Sequence, residues 1–148
     1  MKNFWKKISN SATRDSVIGT MSEAPADAKY RAGQVWSYHT RAQESDSTFT
    51  VVKVESSARL GILVHISLQG LKLKNARHPS GWSDTIAHMP FSQDAIDGSI
   101  ETLISENVPL PDFEQGYALW KQAFDAGKGG VFTIPVAEGV QAIEESMN

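Results

Sequence analysis

An imidazole is the side chain best suited to proton chemistry near neutral pH, and this sequence has four, at His39, His65, His78 and His88. Around the last two the run Gly81, Trp82, Ser83, Asp84, followed by His88, supplies a hydroxyl, a carboxylate and an imidazole, the parts of a hydrolytic triad. A nucleophile elbow needs glycines flanking the serine after a strand. Here Ser83 has Gly81 before it but Thr85 after it, and no strand leads in, so a polar turn is the simpler expectation. His78, Asp84 and His88 also have the donor types of a divalent-metal site. Their spacing matches neither a helical i, i+4 pair nor a hairpin motif, and we assign no metal.

The run Gly127, Lys128, Gly129, Gly130 has the residue types of a phosphate loop in the wrong order. A helix precedes it and no Ser or Thr follows the lysine, so it reads as a helix C-cap and tight turn. With no cysteine there can be no disulfide, thiolate metal site or thiol nucleophile. The sequence therefore assigns no catalytic residue, no cofactor and no metal ligand. Two surfaces remain as candidates. On a helix expected over residues 92–106, Asp94, Asp97 and Glu101 fall at i, i+3, i+7, an exposed acidic ridge that could bind a basic partner. The alternative is a small-ligand or hydrolase pocket at the mouth of the sheet, formed by His65, Trp82, Asp84 and His88.

The elements that must position these groups can be read from periodicity. Residues 1–29 carry few large apolar side chains beyond Phe4, Trp5, Ile8, Val17, Ile18 and Met21, and form a loose lead-in. From Tyr30 the period is two, with aromatic and β-branched residues, which predicts strands over 34–40, 48–55 and 60–68 and a continuation at 71–73. Short connections make these an antiparallel meander. Leu60, Ile62, Val64, Ile66 and Leu68 share the core face, which turns His65 to the other face. Residues 75–82, with Pro79 and Gly81, form a loop.

Beyond Ser92 the period is helical. Ser92 caps the helix over 92–106, with Ile96, Ile100, Leu103 and Ile104 on its buried side. Asp112 caps a second, with Phe113, Tyr117, Trp120 and Phe124 as an aromatic stripe. After a short strand at 130–134, Pro135 opens a third with Val136, Val140, Ile143 and Met147 inward. The fold class is α+β: a mostly antiparallel sheet of three to five strands with about three helices of the second half packed on one side of it, in a single domain over 30–148.

At 148 residues, 41% hydrophobic and 21% charged, the chain is long enough for an ordinary core. No apolar run approaches the roughly 20 residues of a membrane span, and Met1 to Lys7 lacks the apolar stretch of a secretory signal. Residues 1–78 carry 12 Lys and Arg against 6 Asp and Glu, and residues 79–148 carry 2 against 11. A net charge of −3 with basic residues spread singly argues against a nucleic-acid binder.

Three segments, Gly33 to Tyr38 (GQVWSY), Ile86 to Ser92 (IAHMPFS) and Phe113 to Val140 (FEQGYALWKQAFDAGKGGVFTIPVAEGV), give a pattern that resembles a family of small, uncharacterised bacterial proteins, over about residues 30–148. In type, a short acidic α+β chain opening Lys-Phe-Trp-Lys-Lys is also similar to the immunity proteins with which bacteria neutralise their own toxins. That likeness implies a cytoplasmic, non-catalytic protein-binding module whose partner is a basic toxin or effector. Oligomeric state and partner identity are beyond the sequence.

Overall fold

A computed structural model describes residues 21–148, and the expectations for Phe4, Trp5, Ile8 and the rest of 1–20 lie outside them. The chain is α+β, as the periodicities imply. Strand β1 is Met21–Glu23, β2 Val35–Tyr38, β3 Thr48–Ser57, β4 Gly61–Gln69, β5 Leu73–Lys74, β6 Trp82–Ser83, β7 Ile86–Ser92 and β8 Ile100–Ser105. The helices are α1 Gln93–Asp97, α2 Glu114–Asp125 and α3 Val136–Met147, with a 3-10 turn at Ala42–Glu44.

The main sheet runs β7-β4-β3-β2-β8, all antiparallel, and β1 adds to β3 with Met21 opposite Ser57. The meander β2-β3-β4 is the expected one. The last part of the lead-in is not loose, because β1 already belongs to the sheet. Residues 71–73 do not prolong the meander. Instead β5 pairs with β6 in a separate two-stranded ribbon, Lys74 opposite Trp82.

Strand β4 explains the layers. Every residue from Leu63 to Leu68 is buried, so both faces are covered and the strand reads as a near-continuous apolar run interrupted by His65 and Ser67. Val64, Ile66 and Leu68 face a core completed by Met89, Phe91, Ile96, Val136, Val140 and Ile143. Leu63 faces the other way, against Trp120 and Phe124 of α2 and Val131. The expectation of helices on one side is thus corrected: α1 and α3 cover one face and α2 the opposite one. His65 and Ser67 are polar although buried, so the second face alternates with the apolar one in the sequence, which is why period-two reasoning saw a single core face.

Residues 92–106 are not one helix. Ser92 does cap, its hydroxyl accepting from Ala95 N at 3.2 Å, but the helix stops at Asp97. Gly98 ends it, and the β-branched Ile100, Thr102 and Ile104 lie in strand β8, which pairs with β2 through Ile100, Leu103 and Ser105. Ser99, buried in the turn, donates to Ala95 O at 2.8 Å and accepts from Val136 N at 3.0 Å, pinning the switch from helix to strand against the start of α3. Of the four apolar residues expected on one buried side, Ile96 is fully buried, whereas Leu103 and Ile104 are exposed.

Helix α2 forms where expected but begins from Phe113, without a side-chain cap from Asp112. It ends at Asp125, and Gly127, just past the C-cap Ala126, is in the left-handed region at φ 76°. Lys128 N bonds Ala123 O at 2.8 Å and Gly127 N bonds Phe124 O at 3.0 Å, a Schellman closure. The Gly-Lys-Gly-Gly run is therefore a helix stop. Residues 130–134 supply one parallel bridge, Phe132 with Phe91.

Candidate functional site

Between the sheet and α2 lies a chain of polar groups. Glu55 comes from β3, His65 from β4, His88 from β7 and Tyr117 from α2. His65 Nε2 is 2.8 Å from Glu55 Oε1, and its Nδ1 is 2.9 Å from His88 Nε2. The Tyr117 hydroxyl donates to Glu55 Oε2 at 2.9 Å. The two imidazoles stack with centroids 5.1 Å apart, Trp120 packs edge-on to His65 at 4.9 Å, and Lys53 lies 5.2 Å from the centre of the Tyr117 ring.

The partners fix the tautomers. A carboxylate only accepts, so His65 Nε2 carries a hydrogen and donates to Glu55. In a neutral ring Nδ1 then accepts, and His88 Nε2–H is the donor to it. Every hydrogen along the chain points toward the one carboxylate. Burial would raise the pKa of Glu55, but the hydrogen bonds from His65 and Tyr117 and the charge of Lys53 outweigh it and hold the carboxyl below its usual range. Burial lowers His65, partly opposed by Glu55. Burial, with His65 beside it, pushes His88 down to about 3. Burial and acceptance by Glu55 raise the Tyr117 hydroxyl.

Such a Glu–His–His chain has the parts of a proton relay, yet its accessibility decides its use. His65 is fully buried, and Glu55 and His88 nearly so. A general base must come within hydrogen-bond reach of the group it deprotonates, and both ring nitrogens of His65 are engaged, by Glu55 and by His88. The hydrogen bonds of this chain link β3, β4, β7 and α2. Comparison with family models, with curated proteins and with solved structures finds no match.

The expected pocket residues divide into two places. His65 and His88 meet in the buried chain. Trp82, 52% exposed, and Asp84 instead line a surface depression of about 580 Å³ beside the β5–β6 ribbon, with Lys72, His78 and Thr85. His78 is there as well, its Nδ1 2.8 Å from Ser80 Oγ, so the triad and metal groupings that joined His88 to Asp84 or His78 do not assemble. Among the described residues no three His, Asp or Glu side chains converge as metal ligands.

The acidic ridge is also redistributed. Asp94 is exposed on α1. Asp97 accepts from Lys29 Nζ at 2.9 Å and from the Tyr30 hydroxyl at 2.5 Å. Glu101 stands on β8 with His39 Nδ1 3.1 Å away. The three do not share a helix face, because the helix that would align them ends at Asp97.

What takes the ridge's place is the β8 edge. Two register shifts against β2 set Trp36 opposite Leu103 and Tyr38 opposite Ile100, with extra residues on β8 between the pairs. Ser37 Oγ fills the gap, accepting from Thr102 N at 3.1 Å. Bulging turns successive side chains outward, and Glu101 to Ile104 are all exposed. Leu110 is exposed farther along, and Glu106, Asp112 and Glu114 flank it.

Sequence reasoning missed Glu55 and Tyr117. Glu55 entered only as the last residue of the strand expected over 48–55, and Tyr117 as one member of an aromatic stripe. A usable signal was present: two ionisable residues, Glu55 and His65, on neighbouring antiparallel strands at a separation that a hairpin brings together.

Proposed function

We propose that this protein is a non-catalytic, cytoplasmic binding module that engages a basic protein partner along the β8 edge, and that a toxin it neutralises is the most concrete such partner. The observation that carries this reading is the exposure of Leu103 and Ile104 on the outer strand β8, with exposed Glu101, Glu106, Leu110 and Asp112 on it or following it in the sequence. Large apolar side chains on an outer strand favour contact with another chain, and edges without a partner are normally blunted by charge or bulges. Here the bulges interrupt the ladder, so recognition by side chains fits better than addition of a long strand. The acids supply complementarity to a basic partner: residues 79–120 contain seven Asp and Glu and no Lys or Arg. The cysteine-free composition suits a reducing compartment.

The test is retention of a partner from lysate of the source cells by tagged wild-type protein and by the double variant Leu103→Ser, Ile104→Lys, with folding checked by circular dichroism. A near-stoichiometric basic protein held by wild type, released by added salt and lost in the folded variant, is the expected result. Equal retention by both would remove β8 as the interface, and retention of nothing by wild type would count against a binding role.

A further inference from the structure

We infer that the depression around Trp82 binds a neutral saccharide. It lies apart from the β8 strip and does not depend on the reading above.

The ribbon that carries it is well tied. Asn75 N bonds Gly81 O at 2.9 Å, Gly81 N bonds His78 O at 2.9 Å, and Asn75 Nδ2 donates to Ser83 Oγ at 2.9 Å. Trp82 is thereby held at the surface rather than folded into the core, although it is the largest apolar side chain in the ribbon. Leaving an indole half in water sacrifices the hydrophobic gain of burying it, which a ligand that covers the ring would restore. The 580 Å³ depression falls in the range of small-molecule sites, and Trp82 and Lys72 also border a second depression of about 320 Å³ with Gln43 and Lys74.

The polar groups define the class of ligand. Asp84 and Lys72 both line the larger depression, and among the described residues neither the carboxylate nor the ammonium has a hydrogen-bond or ion-pair partner. One carboxylate and one ammonium balance, so the site offers no net charge to a phosphate. Together with the hydroxyls of Ser83 and Thr85 they present donors and acceptors in equal measure beside an apolar ring. A sugar matches that description: its hydroxyls both donate and accept, and its axial C–H face is apolar.

The experiment follows the indole N–H signal of Trp82 by NMR, assigned through Trp82→Phe, during titration with maltotriose, cellotriose, mannotriose, galactotriose and chitotriose, and separately with AMP. A saturable shift with at least one trisaccharide, with Kd on the order of 1 mM, is expected. It should be weakened about tenfold in Asp84→Asn and undetectable in Trp82→Ala. Both substitutions are at the surface, and circular dichroism verifies the fold. Failure of all five sugars, or a shift with AMP alone, would overturn the assignment, as would undiminished binding by folded Trp82→Ala.

Discussion

His88 carries a proton-linkage consequence of its own. In the unfolded chain an imidazole titrates near 6.5, while in the fold burial and the neighbouring His65 push this one down to about 3. Below pH 6.5 the unfolded state takes up a proton that the folded state refuses, so stability is full above that value and falls as the pH drops toward 3. At 1.36 kcal/mol per pH unit, His88 alone should remove about 2 kcal/mol between pH 7 and pH 5. His65 is shifted in the same direction, and Glu55, whose pKa is lowered, adds its loss at more acid pH. Urea midpoints measured at both pH values should show this drop in the wild type and a clearly smaller one in His88→Gln; parallel drops would place the linkage elsewhere. The approach of α2 is also set at this residue, since a Cβ on Gly116 would lie 3.0 Å from His88 Cβ.

At the scale of elements, the connection after β2 is clasped to α3 by a single buried guanidinium. Arg41 donates to both oxygens of Glu44 at 2.9 Å, to Gln141 Oε1 at 2.8 Å, to Glu144 Oε1 at 3.1 Å and to Lys72 O at 3.2 Å. The Glu44 side chain is fully buried, and its Oε1 also accepts from Lys72 N. Arg41→Met would strand that carboxylate without its cation, at a cost of about 3–5 kcal/mol. Arg41→Lys should recover only part of it, because an ammonium cannot reproduce the fork. Urea denaturation at pH 7 gives the ranking, and a Lys variant as stable as the wild type would contradict it. This clasp was not legible in the sequence, where Arg41 and Glu44 sit in a polar turn and the α3 partners of Arg41, Gln141 and Glu144, lie 100 and 103 residues away. The elements that were legible, β3, β4, α2 and α3, have periodicities set by one dominant buried face or a strong β-branched bias. The misread one, residues 92–106, mixes both periods: Ile96, Ile100, Leu103 and Ile104 fit a helical stripe, and only the Gly98-Ser99 break with β-branched alternation after it distinguishes a strand. Strand β7 was hidden for a related reason, since His88 and Pro90 in its middle are the residue types of a loop. Here Pro90 accepts at its carbonyl from Phe132 N, and the strand tolerates it at the sheet's edge.

For the whole molecule, the sheet has a graded interior. Strands β3 and β4 are paired on both sides and covered on both faces, whereas β8 is paired on one side and exposed over four consecutive residues. Native-state hydrogen exchange should therefore be slowest in the middle of β3 and β4, approaching the free energy of global unfolding, and much faster in β8 through local opening. Protection in β8 equal to that in β4 would mean that the edge is covered in solution by another chain. The charge asymmetry of the two halves was readable from composition, but not its placement, because β8 of the acidic half lies directly against β2 of the basic half. That pairing also imposes an order on synthesis. The outer side of β2 is closed only when a strand about 60 residues later has been made, and at about 5–20 residues per second a ribosome needs roughly 3–12 s to deliver it. During that interval the growing chain presents an open strand holding Trp36 and Tyr38, the kind of unpaired edge through which unfinished chains associate wrongly.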